Sequence, residues 1–86
     1  MIETMRLAKI EQYSDDYMSL PGLIRIRVDG LSDPLISSIL SDIRDSDFIY
    51  LDMHYYEMID FSIVIDDSEK MLELEVINVI FERGSM

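Results

Sequence analysis

The C-terminal half of the chain is dominated by apolar and polar residues that alternate with a period of two. Three stretches repeat this pattern: FIYLDMHYY, IDFSIVI and MLELEV. Because successive side chains of a β-strand point to opposite faces, this period predicts strands with one apolar face. We therefore predict strands at Phe48–Tyr56, Ile59–Ile65 and Met71–Phe81, the last two joined by a five-residue hairpin loop at Asp66–Lys70. A helix beginning at Ser68 is the alternative for the third stretch, and the alternation ranks it below a strand.

The same alternation predicts which side chains share a face of the sheet. One face of the last two strands is apolar, and we expect it to pack in the core: Ile59, Phe61, Ile63, Ile65, Leu72, Leu74 and Val76. The opposite face of the three strands is aromatic and acidic, and we expect it to meet solvent: Tyr50, Asp52, His54, Tyr56, Asp60, Glu73 and Glu75. One helix can cover only one side of a sheet, so this second face stays uncovered.

The N-terminal half contains the clearest helix signal. Ser32 or Asp33 can cap a helix, Pro34 suits the first helical position, and apolar residues then recur on one face up to Ile43. Before the helix, Leu23–Val28 alternates and predicts a strand. Tyr13–Gly22 has the polar and turn residues of a loop. The segment Met5–Gln12 fits a strand or a helix, and a strand is the prediction.

These elements predict an α+β fold in a single domain spanning residues 1–86. The expected architecture is an antiparallel sheet of about four to five strands packed on one amphipathic helix. The expected order along the chain is β-β-α-β-β-β.

Charge limits the partners that such a chain can bind. Eighteen acidic and seven basic residues give a net charge of −11, and no Lys or Arg lies between Asp45 and Glu69. Nucleic acid and anionic membranes carry the same sign of charge and are repelled, so neither is an expected partner. A basic protein surface is the expected partner, above all that of a nucleic-acid-binding protein or complex.

Few residues offer chemistry. The chain has no Cys and one His, His54, which we expect to be an exposed strand residue. Asp42, Asp45 and Asp47 lack the glycine and the distal glutamate of a calcium loop, and no glycine spacing matches a phosphate-binding loop. We therefore expect no enzyme, no metal site and no cofactor.

The candidate binding surface is the acidic and aromatic side of the C-terminal sheet. We expect the acids of region 45–75 to form one continuous negative surface. Arg25 and Arg27 would neutralise part of it if their strand lies beside the acidic strands. The alternative is that the acids only keep the protein in solution. The candidate residues are Tyr50, Asp52, Tyr56, Glu57, Asp60, Asp66, Asp67, Glu69, Glu73 and Glu75.

The leading functional hypothesis is a small acidic inhibitor or adaptor that blocks the basic groove of a nucleic-acid-binding partner. In composition alone, and in no residue motif, the chain resembles phage-encoded nucleic-acid mimics such as anti-CRISPR and anti-restriction proteins. The alternative is a non-catalytic assembly or interaction module, a homodimer through the apolar C-terminal strand Val76–Phe81. A small enzyme or metal-binding domain is a third hypothesis. The expected location is the cytoplasm, that of the host if a phage encodes the protein.

Overall fold

A computed structural model describes residues 5–79 and confirms the α+β class. One sheet of six strands packs against one α-helix, α1, at Asp33–Asp45. A short 3₁₀ turn at Ile10–Gln12 follows the first strand. The strands are β1 Leu7–Lys9, β2 Tyr17–Leu20, β3 Leu23–Arg27, β4 Phe48–Leu51, β5 His54–Asp66 and β6 Glu69–Val79.

The spatial order of the strands is β1-β4-β5-β6-β3-β2. β1 pairs with β4 in parallel, whereas every other neighbouring pair is antiparallel. The sheet is therefore mixed and has six strands, where the sequence predicts an antiparallel sheet of four to five. β1 and β4 can pair in parallel because the chain between them, which forms β2, β3 and α1, is long enough to return to the end of the sheet at which β1 begins.

The helix begins and packs as its sequence predicts. The Ser32 hydroxyl accepts a hydrogen bond from the Leu35 amide at 3.3 Å, which satisfies one of the unpaired donors of the first turn. The face of α1 that carries Ile36, Ile39 and Ile43 is buried. It packs on the side of the sheet that we call the inner face, whose buried residues include Ile24, Ile26, Ile49, Leu51, Leu72, Leu74 and Val76.

Two predictions in the N-terminal half need correction. The predicted strand Met5–Gln12 is a strand only at Leu7–Lys9 and then turns as a 3₁₀ helix. The predicted loop Tyr13–Gly22 contains β2, which joins β3 by a tight turn at Pro21 and Gly22, where Gly22 has φ +76°. Pro followed by Gly with positive φ is typical of a type II turn. β2 escapes detection because it is an edge strand whose residues are largely exposed.

The C-terminal strands differ from the prediction at their turns. The predicted strand Phe48–Tyr56 breaks at Asp52 and Met53, whose φ values are 52° and 66°. The predicted five-residue loop contracts to Asp67 and Ser68, with φ 49° and 67°, because β5 and β6 pair as far as Asp66 and Glu69. Two successive residues with positive φ form the two-residue hairpin turn whose twist matches that of the flanking strands.

One stretch of β5 extends beyond its neighbour. β4 pairs only with His54–Tyr56, whereas β6 pairs with β5 along almost its full length. We call residues 57–66 the β5 overhang. In the part of the chain that the structure describes, the overhang has a strand on one side only.

The predicted burial of this stretch is wrong, although the predicted face is correct. Phe61 lies opposite Leu74 and Ile63 opposite Leu72, so both are on the inner face. They are nevertheless 36% and 46% exposed, and Ile65 is 70% exposed. Ile59 lies at a bulge between Met58 and Asp60 and is 55% exposed. The buried core joins the isoleucines of α1 to residues of β3, β4 and β6, and it does not include Phe61, Ile63 or Ile65.

No helical segment of residues 5–79 has the length and the apolar composition needed to cross a bilayer.

Candidate protein-binding surface

The outer face of the sheet, opposite α1, gathers several of the predicted acids. Asp60 lies opposite Glu75 across β5 and β6, and Glu73 lies between Ser62 and Arg25 on its two neighbouring strands. A shallow open depression of about 210 Å³ is lined by Leu23, Asp60, Phe61, Ser62, Glu73 and Glu75. The Asp60 carboxylate accepts a hydrogen bond from the Phe61 amide at 2.8 Å. Sequence reasoning places these acids on one face correctly.

Basic side chains interrupt this acidic surface. Arg25 forms an ion pair with Glu73 at 2.8 Å, and Arg27 pairs with Glu69 at 2.8 Å and with Asp16 at 3.3 Å. The arrangement follows from β3 lying beside β6, which sets Arg25 directly across from Glu73 and Arg27 across from Met71, two residues from Glu69. The expected continuous negative surface over region 45–75 is therefore broken at Glu69 and Glu73, and this weakens the case for nucleic-acid mimicry.

Six predicted acids remain exposed and form no ion pair with any residue that the structure describes: Asp52, Glu57, Asp60, Asp66, Asp67 and Glu75. Four of them lie on the β5 overhang or at its turn, and Glu75 lies across from Asp60 on β6. Asp60 and Asp66 are six residues apart, which corresponds to about 20 Å along a strand. Most of the unpaired candidate acids thus follow the overhang.

Two aromatic candidates lie in different places. Tyr50 is half-buried on the outer face, where its ring lies 5.0 Å from that of Tyr55. Tyr56, predicted beside it, is instead in the core, with its hydroxyl 3.4 Å from that of Ser19. The prediction is wrong because the turn at Asp52 and Met53 interrupts the alternation, and Tyr50 pairs with Tyr55. Asp52 itself is exposed in that turn.

Two tyrosines, Tyr13 and Tyr17, lie beside acidic residues in the fold. Burial, then the hydrogen bond to Asp42 and its charge, raise the pKa of the Tyr13 hydroxyl well above its ordinary value. Partial burial, and after it the charges of Asp52, Glu11 and Asp15, raise the pKa of Tyr17. The contacts of Tyr13 with Asp42 and of Tyr17 with Asp52 join residues far apart in sequence, and no motif signals them.

Two of the three acids considered as metal ligands form hydrogen bonds within the fold. Asp42 holds the Tyr13 hydroxyl, and Asp47 accepts a hydrogen bond from the Arg6 amide at 2.9 Å. Among residues 5–79, no three His, Asp or Glu side chains lie close enough together to hold a metal ion. His54 is exposed at the start of β5, with its ring 6.4 Å from that of Tyr56.

The C-terminal strand, considered as a dimer contact, is partly exposed. Val76 is buried, Ile77 is exposed on the outer face and Val79 is half-buried. Ile80 and Phe81 lie outside the described residues. A larger exposed apolar surface lies on the inner face of the overhang, where Phe61, Ile63 and Ile65 form a row.

Comparison of the chain with protein-family models, with curated proteins and with solved structures finds no match.

Proposed function

We propose that this protein is a non-catalytic inhibitor or adaptor that binds a basic protein partner through the β5 overhang. The observation that carries the proposal is the row of exposed apolar side chains at Phe61, Ile63 and Ile65, on the same face as the core residues Leu72 and Leu74. An exposed contiguous apolar surface is typical of a protein interaction site.

The charge around this row supports a basic partner. Glu57, Asp60, Asp66 and Asp67 lie along the same stretch of chain, and the whole molecule carries −11. Charges at the rim of an interface mainly speed association and select the partner, while the buried apolar centre supplies affinity. The overhang combines both kinds of side chain, whereas the rest of the outer face is partly neutralised by arginine.

The test compares two variants that remove one contribution each. The first variant removes charge by combining Asp60→Asn, Asp66→Asn and Asp67→Asn. The second removes most of the apolar row by combining Phe61→Ser and Ile63→Ser. The control is Ser38→Ala on the exposed side of α1. Proteins retained from a cell lysate are identified, and the affinity of each purified partner is measured at about 0.1 M and about 1 M salt. We expect a basic partner that both variants weaken by about tenfold or more. Partners that bind the control and both variants equally would contradict the proposal.

Nucleic-acid mimicry is the narrower form of this proposal. It requires that the partner bind this protein and nucleic acid in the same groove. Competition with a DNA or RNA duplex separates the two forms, because a mimic is displaced and an adaptor bound elsewhere on the partner is not.

Exposed Ile77 beside Val79 favours a second candidate, a homodimer through the C-terminal strand. Sedimentation equilibrium of the protein alone tests it. A dimer that Ile77→Ser dissociates would support this function, and a monomer at all concentrations would exclude it.

A further inference from the structure

The β5 overhang has an open edge as well as an open face. β4 pairs with β5 no further than Tyr56, so the backbone groups of residues 57–66 that point away from β6 meet no neighbouring strand within the described chain. Edge strands in natural proteins are usually short or carry lysine or proline, and these features keep the open edge from pairing with other chains. Residues 59–65 contain neither lysine nor proline and alternate as a strand should.

The turn determines which backbone groups point outward. A two-residue hairpin turn is closed by a hydrogen-bonded pair, here Asp66 and Glu69, and hydrogen-bonded and non-hydrogen-bonded pairs then alternate along the ladder. Phe61, Ile63 and Ile65 therefore occupy non-hydrogen-bonded pairs, and their amide and carbonyl groups point to the open edge. The bond from the Phe61 amide to the Asp60 carboxylate agrees with this assignment.

We propose that this edge accepts an extended segment of the protein partner as an added strand. The segment would alternate apolar residues with lysine or arginine. Its apolar side chains would lie beside Phe61, Ile63 and Ile65 on the inner face, and its cations opposite Asp60 and Asp66 on the outer face. Backbone hydrogen bonds to Ile63 and Ile65 supply the pairing, and the alternate side chains supply the specificity. This inference rests on the proposed function and names the form of the partner's contact.

Charge favours such a segment over a second copy of this chain. An antiparallel pair of overhangs centred on Ile63 would set Asp60 opposite Asp66 of the other copy, and like charges directly opposite are destabilising. Any register also brings together two molecules that each carry −11. A basic strand faces neither cost.

The probe is a synthetic peptide of about nine residues in which valine and lysine alternate, a length that spans the overhang. A second peptide has the same sequence with N-methyl groups on the residues whose amides would face β5, so charge and composition are unchanged. Binding is measured by calorimetry, and protection of the Ile63 and Ile65 amides by hydrogen exchange.

We expect the first peptide to bind and to slow exchange of both amides, and the N-methylated peptide to bind about tenfold more weakly or worse, since it loses several hydrogen bonds. Ile63→Pro removes an edge donor but no bond to β6, and should weaken binding similarly in a protein whose circular dichroism is unchanged. Phe61→Ser tests the apolar row in parallel.

Equal binding of the two peptides, or no binding of either, would overturn strand addition. Protection of Ile63 and Ile65 that appears without peptide and grows with protein concentration would assign the edge to a second copy and overturn it too. If the peptide adds as a strand but no basic partner depends on the overhang, strand addition stands and the proposed function fails.

Discussion

Single isoleucine side chains on the buried face of α1 hold the helix against the sheet. Ile36, Ile39 and Ile43 are spaced so that each turn of α1 places one isoleucine on the inner face of the sheet. All three are buried, whereas Ser37 and Ser38 point to solvent. The helix contains three serines, which lower its intrinsic stability, so its formation depends on this contact.

Ile39→Ala should therefore destabilise the protein by about 2–5 kcal/mol, because it leaves a cavity between α1 and the sheet. Ser38→Ala, one residue away on the exposed side, should change the free energy of unfolding by less than about 0.5 kcal/mol. Urea titration of both variants measures the difference. Equal effects would show that the helix packs through another face.

The contact between Tyr13 and Asp42 gives stability a dependence on alkaline pH. Because the pKa of Tyr13 is higher in the folded protein than its ordinary value of about 10, the folded state holds this proton more tightly than the unfolded chain. The stabilisation is complete below about pH 10 and declines as the pH rises above that value.

Tyr13→Phe should destabilise the protein near pH 7 by about 0.5–1.5 kcal/mol, the value of a typical hydrogen bond. The difference in free energy of unfolding between this variant and wild type should shrink between about pH 9 and pH 12, because wild type loses the Tyr13 contribution in that range. Urea midpoints across this range measure it. A difference that stays constant with pH would mean that this tyrosine contributes nothing to the alkaline loss.

At the scale of secondary-structure elements, the two hairpin turns of the C-terminal half set the geometry. Asp52 and Met53 form one turn, Asp67 and Ser68 the other, and all four residues have positive φ. A residue with a β-carbon is strained there, and none of the four is glycine. The turns persist because the paired strands on either side require them.

Ser68→Gly should relieve this strain and stabilise the hairpin by about 0.5–1 kcal/mol. Ser62→Gly, in the middle of β5, should destabilise by a similar amount because the strand backbone there is ordinary. The stability change of each variant is measured by hydrogen exchange of amides near the β5–β6 turn and by thermal melting. Destabilisation by Ser68→Gly would contradict the turn geometry.

At the scale of the whole molecule, net charge opposes folding. The four ion pairs among the described residues all involve partly exposed side chains, and such pairs contribute little. The chain has 18 acidic and seven basic residues, and the repulsion among the excess acids destabilises the folded state.

The melting temperature should therefore rise as sodium chloride increases from about 0.01 M to about 0.3 M, where screening has shortened the range of repulsion to about 6 Å. Arg25→Gln with Arg27→Gln, which makes the net charge more negative, should steepen this rise. A melting temperature that falls with salt would show that the ion pairs outweigh the net repulsion.

Much of the binding surface could be predicted from sequence, but its shape could not. Alternation alone places Asp60, Glu73 and Glu75 on one face, because the period of a strand is local. The same alternation puts Tyr56 on the wrong face, because a turn at Asp52 and Met53, two residues without a turn signature, changes which residues share a face. The neutralisation of Glu73 by Arg25 depends on strands 48 residues apart, and no local pattern records it.

The sequence by itself determined the helix, the inner-face residues of β3 and β6, the acidity and the lack of a recognisable catalytic motif. These follow from side-chain period, capping residues and composition, which act within a few residues of chain. The tertiary structure decided the strand order, the tight turns and which apolar residues are covered. Ile63 and Leu72 have the same local pattern and lie on the same face, yet only Leu72 is buried. The difference is that Leu72 belongs to the buried cluster that includes Ile36, Ile39 and Ile43, whereas the one thirteen-residue helix leaves the β5 overhang uncovered.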